Sequence, residues 1–226
     1  MRLIAFDTAT EWCSAALWQD GELISREEKA GQRHSELLMP MVFSLLAEAQ
    51  LTLNTLDGLA YGMGPGSFTG LRIACGVAQG IGMGADLPVV GISTLEALAE
   101  SARDQLGCEQ IVACLDARMN EVYAGLFHFS AGTWQCARGP LVCPPAQTPM
   151  PDTTGYFGVG PGFAAYADLQ ALAVQHLLGT HSDIFPHARA LAALAAPRFV
   201  RGEGRPPEAA EPIYIRDKVA LKICER

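Results

Sequence analysis

The segment Leu59–Ala85, LAYGMGPGSFTGLRIACGVAQGIGMGA, restricts what this chain can fold into more than any other stretch. An apolar run from Leu59 to Met63 reaches Gly64-Pro65-Gly66, and Ser67 or Thr69 can then cap a helix by accepting from its free N–H groups. The reading is strand, tight turn, helix. Gly76, Gly80 and Gly84 recur every fourth residue with Ala74, Ala78 and Gly82 beside them, so one broad helix face has almost no side chains. An interior glycine costs ~1 kcal/mol relative to alanine, and the natural compensation is another backbone approaching that face. The helix's own sheet or a second subunit could supply it, and the sequence leaves both open.

A glycine-rich turn entering a helix also suggests anion binding. A Walker A loop, however, ends in Gly-Lys-Ser/Thr, whereas Gly70 is followed by Leu71 and Arg72. A weaker reading remains, an anion nest with Arg72 nearby.

With 226 residues the chain can bury a real core, as one large domain or two of ~100 residues each. Its net charge of -8 argues against broad nucleic-acid binding by this chain alone, because phosphate contacts need lysine and arginine. Cys13, Cys75, Cys108, Cys114, Cys136, Cys143 and Cys224 are odd in number, scattered and without a CxxC pair. They read as reduced thiols, neither a disulfide frame nor a zinc site. The N-terminus lacks the regions of a signal peptide and no apolar run reaches ~18 residues, so a soluble cytoplasmic protein without a membrane partner is expected.

From the start of the chain, Leu3–Thr10, Cys13–Gln19 and Gly21–Ala30 read as three strands joined by turns, an antiparallel meander. Asp7 ends the first strand, a position suited to metal or phosphate chemistry and equally to capping its own turn. His34–Ala49 reads as a helix with Leu37, Leu38, Met41, Val42, Leu45 and Leu46 on one face, while Met39 and Phe43 spill apolar surface onto its flank. That width exceeds what one sheet covers and suggests a partner contact. Pro40 should kink this helix or delay its start. Pro88–Ile92 forms a buried strand, and a helix capped by Ser93 or Thr94 runs to about Arg103, with Glu96 placed to close a capping box with Ser93.

A second half begins near Gln110. IAFDTATEWCSAAL (Ile4–Leu17) overlays ACLDARMNEVYAGL (Ala113–Leu126) without gaps, matching Asp7 to Asp116, Ala15 to Ala124 and Leu17 to Leu126. Its place at the start of each half points to duplication. Trp134–Val142 reads as a strand, Pro144–Pro151 as a loop, Tyr156–Val159 as a strand entering Gly158–Gly162, Phe163–Ala173 as a helix, and Ala188–Ala196 as a helix ended by Pro197. His176, His181 and His187 share no helical face and read as solvated loop residues with no metal between them. Beyond the polar linker Gly202–Pro212, IYIRDKVALKI reads as a short tail docking back on the body. Arg198–Arg226 contains seven of the sixteen basic residues, compatible with a solvated surface or a nucleic-acid contact.

Two halves that each open on strand, Asp turn and strand resemble the actin, sugar kinase and Hsp70 superfamily. LIAFDTAT, HSELLMPMV, LAYGMGPGSFTGLRIACGVAQG, GISTLEALA, LDARMNEVYAGLF and EPIYIRDKVA together resemble the bacterial TsaB (YeaZ) family more specifically. The resemblance implies an α/β, two-domain duplicated fold with mixed sheets flanked by helices: residues 1–106, residues 107–204, and 205–226 docking back on the first.

It implies a part in forming threonylcarbamoyladenosine at position 37 of tRNAs reading ANN codons, as a non-catalytic partner of the TsaD paralogue and with the TsaE ATPase in the complex. A homodimer is implied for the chain alone, and tRNA is met only through the complex. The implied pairing surface comprises His34, Leu37, Leu38, Met41, Val42, Leu45, Phe68, Arg72, Ala74, Gly76, Val77 and Gly80. Superfamily phosphate turns have a glycine where this chain has Ala9 and Arg118, and the paralogue's metal-binding histidine pair is broken because Leu38 follows His34. No catalytic residue, metal or cofactor is therefore assigned, and Asp7 and Asp116 are expected as vestigial turn-formers. The rival readings are a nucleotide-binding regulatory homodimer using the Gly158–Gly162 turn and, further off, a kinase- or peptidase-type enzyme.

Overall fold

A computed structural model describes residues 1–216; Cys224 and the final part of the expected tail lie outside the described residues. The first strands are β1 (Arg2–Asp7), β2 (Trp12–Gln19) and β3 (Glu22–Lys29), an antiparallel meander as the pattern predicts. Asp20 and Gly21 turn the second corner with φ of 54° and 99°, values this two-residue hairpin loop requires. β4 (Gly58–Gly64) runs parallel to β1, and β5 (Val89–Ser93) parallel to β4. The sheet order is β3-β2-β1-β4-β5.

The second sheet repeats this plan. β6 (Gln110–Arg118), β7 (Glu121–Ser130) and β8 (Thr133–Cys143) form a meander, and β9 (Phe157–Val159) and β10 (Thr180–His181) add in parallel. Read from the β8 edge the order is β8-β7-β6-β9-β10, the counterpart of the first. The fold is thus the expected duplicated α/β architecture of two mixed sheets flanked by helices. The repeat reaches further than the opening strands. β4 and β9 hold equivalent places and lead into Gly62-Met63-Gly64-Pro65-Gly66 and Gly158-Val159-Gly160-Pro161-Gly162, an echo present in the sequence as well.

The helices are α1 (His34–Glu48), α2 (Phe68–Ala85), α3 (Thr94–Leu106), α4 (Gly162–Ala165), α5 (Ala167–His176) and α6 (Ala188–Val200). Two of them cross between the halves. Leu95, Leu98, Ala99 and Ala102 of α3 pack with Ile111, Ala113, Leu115 and Phe127 of the second sheet. Ala188, Leu191, Ala192 and Ala195 of α6 pack instead with Leu3, Ala5, Ala60 and Ile92 of the first. Each helix thus contributes to the core of the other half, and Ala97 of α3 also packs with the first sheet.

Four local expectations are corrected. Of the two effects expected of Pro40, a delayed start does not occur: α1 starts at His34, because the proline removes only the donor to the Glu36 carbonyl on an exposed side where water can serve. Ser93 makes no cap bond and the capping box does not form, since both Glu96 carboxylate oxygens are held by Arg198 at 2.7 Å. The helix expected from Phe163 to Ala173 breaks into α4 and α5 at Tyr166, whose backbone is extended. Pro197 lies inside α6 and does not end it; the turn beyond closes through Arg201 N–H to the Pro197 carbonyl at 3.2 Å.

Candidate functional site

Asp7 stands at the end of β1, fully buried. Its Oδ2 accepts from the Ala9 N–H at 3.2 Å, and Oδ1 has no partner among the described residues. Burial pushes this carboxyl up to about 7, opposed only by the Ala9 hydrogen bond. The turn between β4 and α2 is pressed against it. A Cβ on Gly66 would lie 2.5 Å from the Ala9 carbonyl oxygen, and one on Gly70 would lie 1.9 Å from that of Thr8. The Thr8 hydroxyl donates to the Gly70 carbonyl at 2.7 Å, and Ser67 N–H donates to the Ala9 carbonyl at 2.8 Å. Ser67, of the two candidates, is the cap of α2, accepting from Gly70 N–H. These glycines let two turns of one subunit touch, and the commitment of the Ser67 and Gly70 N–H groups takes donors away from the anion-nest reading.

Asp116 occupies the matching place in the second half. Its Oδ1 accepts from Arg118 N–H at 2.7 Å and from the Tyr166 hydroxyl at 2.8 Å, and Oδ2 meets the Arg118 guanidinium at 3.0 Å. Both aspartates therefore accept from the backbone N–H two residues on, the turn-forming arrangement of a short carboxylate. The hairpins differ in register. Asp7 faces Ser14, so a gapless overlay puts Asp116 opposite Tyr123, yet it stands opposite Val122. Arg118, Met119 and Asn120 all have positive φ, and the second hairpin closes as a tight loop. In the Gly158–Gly162 turn, Gly158 and Gly160 N–H groups donate to the Gly179 and His181 carbonyls at 2.9 Å, and Gly160 and Gly162 lie against Cys114. Packing accounts for those glycines.

The two sides of the glycine-rich helix differ. Leu71, Ala74, Cys75, Ala78, Ile81 and Gly82 face inward. Gly76, Gly80 and Gly84 face outward, and a Cβ on any of them would meet nothing within 4 Å. The helix's own sheet is not what approaches this stripe.

The residues expected on the pairing surface divide accordingly. Phe68, Arg72, Gly76 and Gly80 are exposed, and Leu37, Met41 and Val77 are half-buried. His34, Leu38, Val42, Leu45 and Ala74 are buried in the first half and are not on its surface. The regular apolar stripe of α1 is the part its own sheet covers, and His34 Nε2 is bonded to the Thr10 carbonyl oxygen at 2.9 Å. Three further side chains are exposed: Phe43 of α1 at 52%, Met83 of α2 at 63% and Tyr214 at 45%. Phe43 was legible as flank surface, and Met83 lies one turn beyond Gly80. Tyr214 comes from the distant end of the chain.

That end is bound to the first half as far as it is described. Val89 and Arg205 exchange backbone hydrogen bonds of 2.8 and 2.9 Å, and Ile213 N–H donates to the Met63 carbonyl at 2.7 Å. The Ala210 carbonyl accepts from Gln79 at 2.8 Å, and Glu211 N–H donates to the Tyr61 hydroxyl at 3.0 Å. Arg72 Nε donates to the Tyr214 hydroxyl at 3.1 Å. Arg216 continues to the second half, pairing with Glu121.

His187 departs from the solvated role expected of it. Its Nδ1 accepts from Arg189 N–H at 3.0 Å and caps α6, while Nε2 meets Glu27 at 2.9 Å. Among the described residues no cluster of three or more His, Cys, Asp or Glu side chains is placed to hold a metal ion, and no helix is long and apolar enough to cross a membrane.

Comparison with known proteins gives one consistent answer. A family model described as "TsaD: tRNA N6-adenosine threonylcarbamoyltransferase" matches residues 25–223. The tRNA threonylcarbamoyladenosine biosynthesis protein TsaB of Escherichia coli is 38% identical, over 98% of this chain and 97% of its own. That of Haemophilus influenzae is 39% identical over 98% and 96%. The solved structure of YeaZ from Pseudomonas aeruginosa superposes with a TM-score of 0.86 at 38% identity, covering 94% of this chain and 99% of that one.

Proposed function

The chain belongs to the TsaB family, and from that premise we propose that it acts in forming threonylcarbamoyladenosine in tRNA as a non-catalytic partner of a TsaD-type transferase. The observation that most supports this reading is the outward stripe of Gly76, Gly80 and Gly84, with empty space over each and the exposed Phe68 and Met83 on the same helix. Glycine at that spacing lets a second helix approach closely, and exposed aromatic and methionine side chains suit the core of an interface. The same face serves a second copy when the chain is alone. The Asp7 turn is packed against Gly66 and Gly70, and the Asp116 carboxylate is held by Arg118 and Tyr166, which supports a role without chemistry of its own. TsaE and tRNA, for ANN-decoding species, are met within the assembled complex in the cytoplasm.

The test is reconstituted threonylcarbamoylation of tRNA by TsaD, TsaE and the adenylate-forming enzyme, with this chain, without it, and with Gly80→Leu. The proposal expects activity to require the chain, and Gly80→Leu to abolish pairing with TsaD and modification together while thermal melting stays intact. Modification that persists after pairing is lost would move the function to the Asp turns.

A further inference from the structure

We propose that Arg72 is a preorganised receptor for a carboxylate on the protein that pairs with α2, and that Tyr214 is the residue that positions it; this rests on the partner reading above. Arg72 is the single charged residue of α2. Its guanidinium lies over the Phe68 ring with Cζ 3.9 Å from the centroid, and its Nε donates to the Tyr214 hydroxyl at 3.1 Å. The Phe68 and Tyr214 rings are themselves in contact, with centroids 5.3 Å apart. A long, rotamer-rich side chain is thus held in one pose by a stacking surface beneath and an acceptor at Nε.

Among the described residues Arg72 makes no ion pair, and the Nη1 and Nη2 edge of the fork has no acceptor. The surroundings decide what completes it. Phe68, Gly76 and Gly80 carry no charge, so a helix laid along the stripe takes this guanidinium out of water, where an unpaired charge is costly. A carboxylate meets the free edge in bidentate geometry. A second copy presenting its own α2 brings none, because α2 contains no acidic residue. Contact of α2 with α2 in a self-pair therefore leaves the receptor empty, and a different protein can fill it. The apolar neighbours and the chain's net charge of -8 argue against an RNA phosphate as the occupant.

Calorimetric titration of a TsaD-type paralogue into the purified chain tests this, using Arg72→Ala, Arg72→Lys, Tyr214→Phe, the Arg72→Ala/Tyr214→Phe double variant and Gly80→Leu, each checked by thermal melting. Arg72→Ala should weaken pairing by about 30-fold or more, the loss typical of truncating one side of a buried charge pair. Arg72→Lys should recover little of it, since lysine lacks the fork. Tyr214→Phe keeps the ring stack and should cost several-fold only while Arg72 is present, so the double variant binds no worse than Arg72→Ala. Wild-type affinity for Arg72→Ala overturns the proposal. If Gly80→Leu then abolishes pairing, the receptor alone is wrong; if it also binds normally, the partner face itself is wrong. Loss of tRNA binding by Arg72→Ala with protein pairing unchanged would overturn the carboxylate in favour of a phosphate.

Discussion

Asp7 and Gly62 meet so closely across β1 and β4 that a Cβ on Gly62 would stand 1.8 Å from Asp7 Oδ1. The carboxyl is buried with one hydrogen bond and titrates at about 7 when folded, against 3.8 for an unperturbed aspartate. Between those values the folded chain keeps a proton that the unfolded chain has released. Stability therefore falls as pH rises from about 4 to about 7 and levels off above it. The difference corresponds to about 4 kcal/mol at ~1.4 kcal/mol per pH unit. Asp7→Asn retains an acceptor for the Ala9 N–H and cannot ionise. Its urea midpoint should gain on that of the wild type as pH rises from 5 to 8, because the decline due to Asp7 is removed, and should match or exceed the wild type at pH 8.

Alanine at two glycines should act with opposite signs. At position 62 the added methyl collides with Asp7, a mismatch of the kind that costs about 1–3 kcal/mol or more. At position 80 it meets open space and removes a helix-interior glycine, a gain of ~1 kcal/mol. Thermal melting of the isolated chain should show Gly62→Ala less stable and Gly80→Ala more stable than the wild type. Gly80→Ala should at the same time weaken pairing with a TsaD-type protein. A stabilised variant that pairs normally would show that close helix approach is not needed.

Both ring nitrogens of His187 are committed: Nδ1 must be unprotonated to accept from Arg189 N–H, and Nε2–H is directed at Glu27. Burial holds its pKa below the usual 6.5 despite Glu27. A depressed histidine contributes stability above the unfolded pKa and loses it as pH falls through the folded one. His187→Asn can keep the cap without titrating, whereas His187→Ala loses about 1 kcal/mol of capping at neutral pH. Denaturation curves at pH 7.5 and pH 5.5 should show the wild type weakening at low pH relative to His187→Asn.

Arg198 grips both oxygens of Glu96 at 2.7 Å, tying α6, which covers the first sheet, to α3, which covers the second. The side chains are 24% and 16% exposed, so solvent screens the pair only in part. Removing either partner should cost about 1–3 kcal/mol. A double-mutant cycle with Glu96→Ala and Arg198→Ala should return a coupling of similar size, and near-zero coupling would deny the pair a bracing role.

Much of this protein was legible from local pattern. The strand, turn and helix of 59–85, a cap at Ser67 or Thr69 and the Asp20-Gly21 corner follow from residue types acting on their own backbone. The duplicated opening strands and the words around GPGSFTGLRI were enough for fold and family. Regular apolar spacing likewise identified Leu38, Val42 and Leu45 as one face of α1.

What local pattern could not decide was which surface each face meets. Leu38, Val42 and Leu45 are the stripe their own sheet buries, leaving Phe43 on the flank outside. In α2 small residues occupy both sides, so hydropathy does not separate Ala74 and Ala78, which pack inward, from Gly76 and Gly80, which face open space. The diversion of Glu96 from Ser93 to Arg198 and the reach of Tyr214 to Arg72 depend on residues more than a hundred positions apart in the chain, and the crossing of α3 and α6 depends on which sheet each helix meets. Composition and periodicity determine which residues avoid water and where the backbone turns. Only the assembled sheets determine which of those surfaces are already covered and which remain exposed.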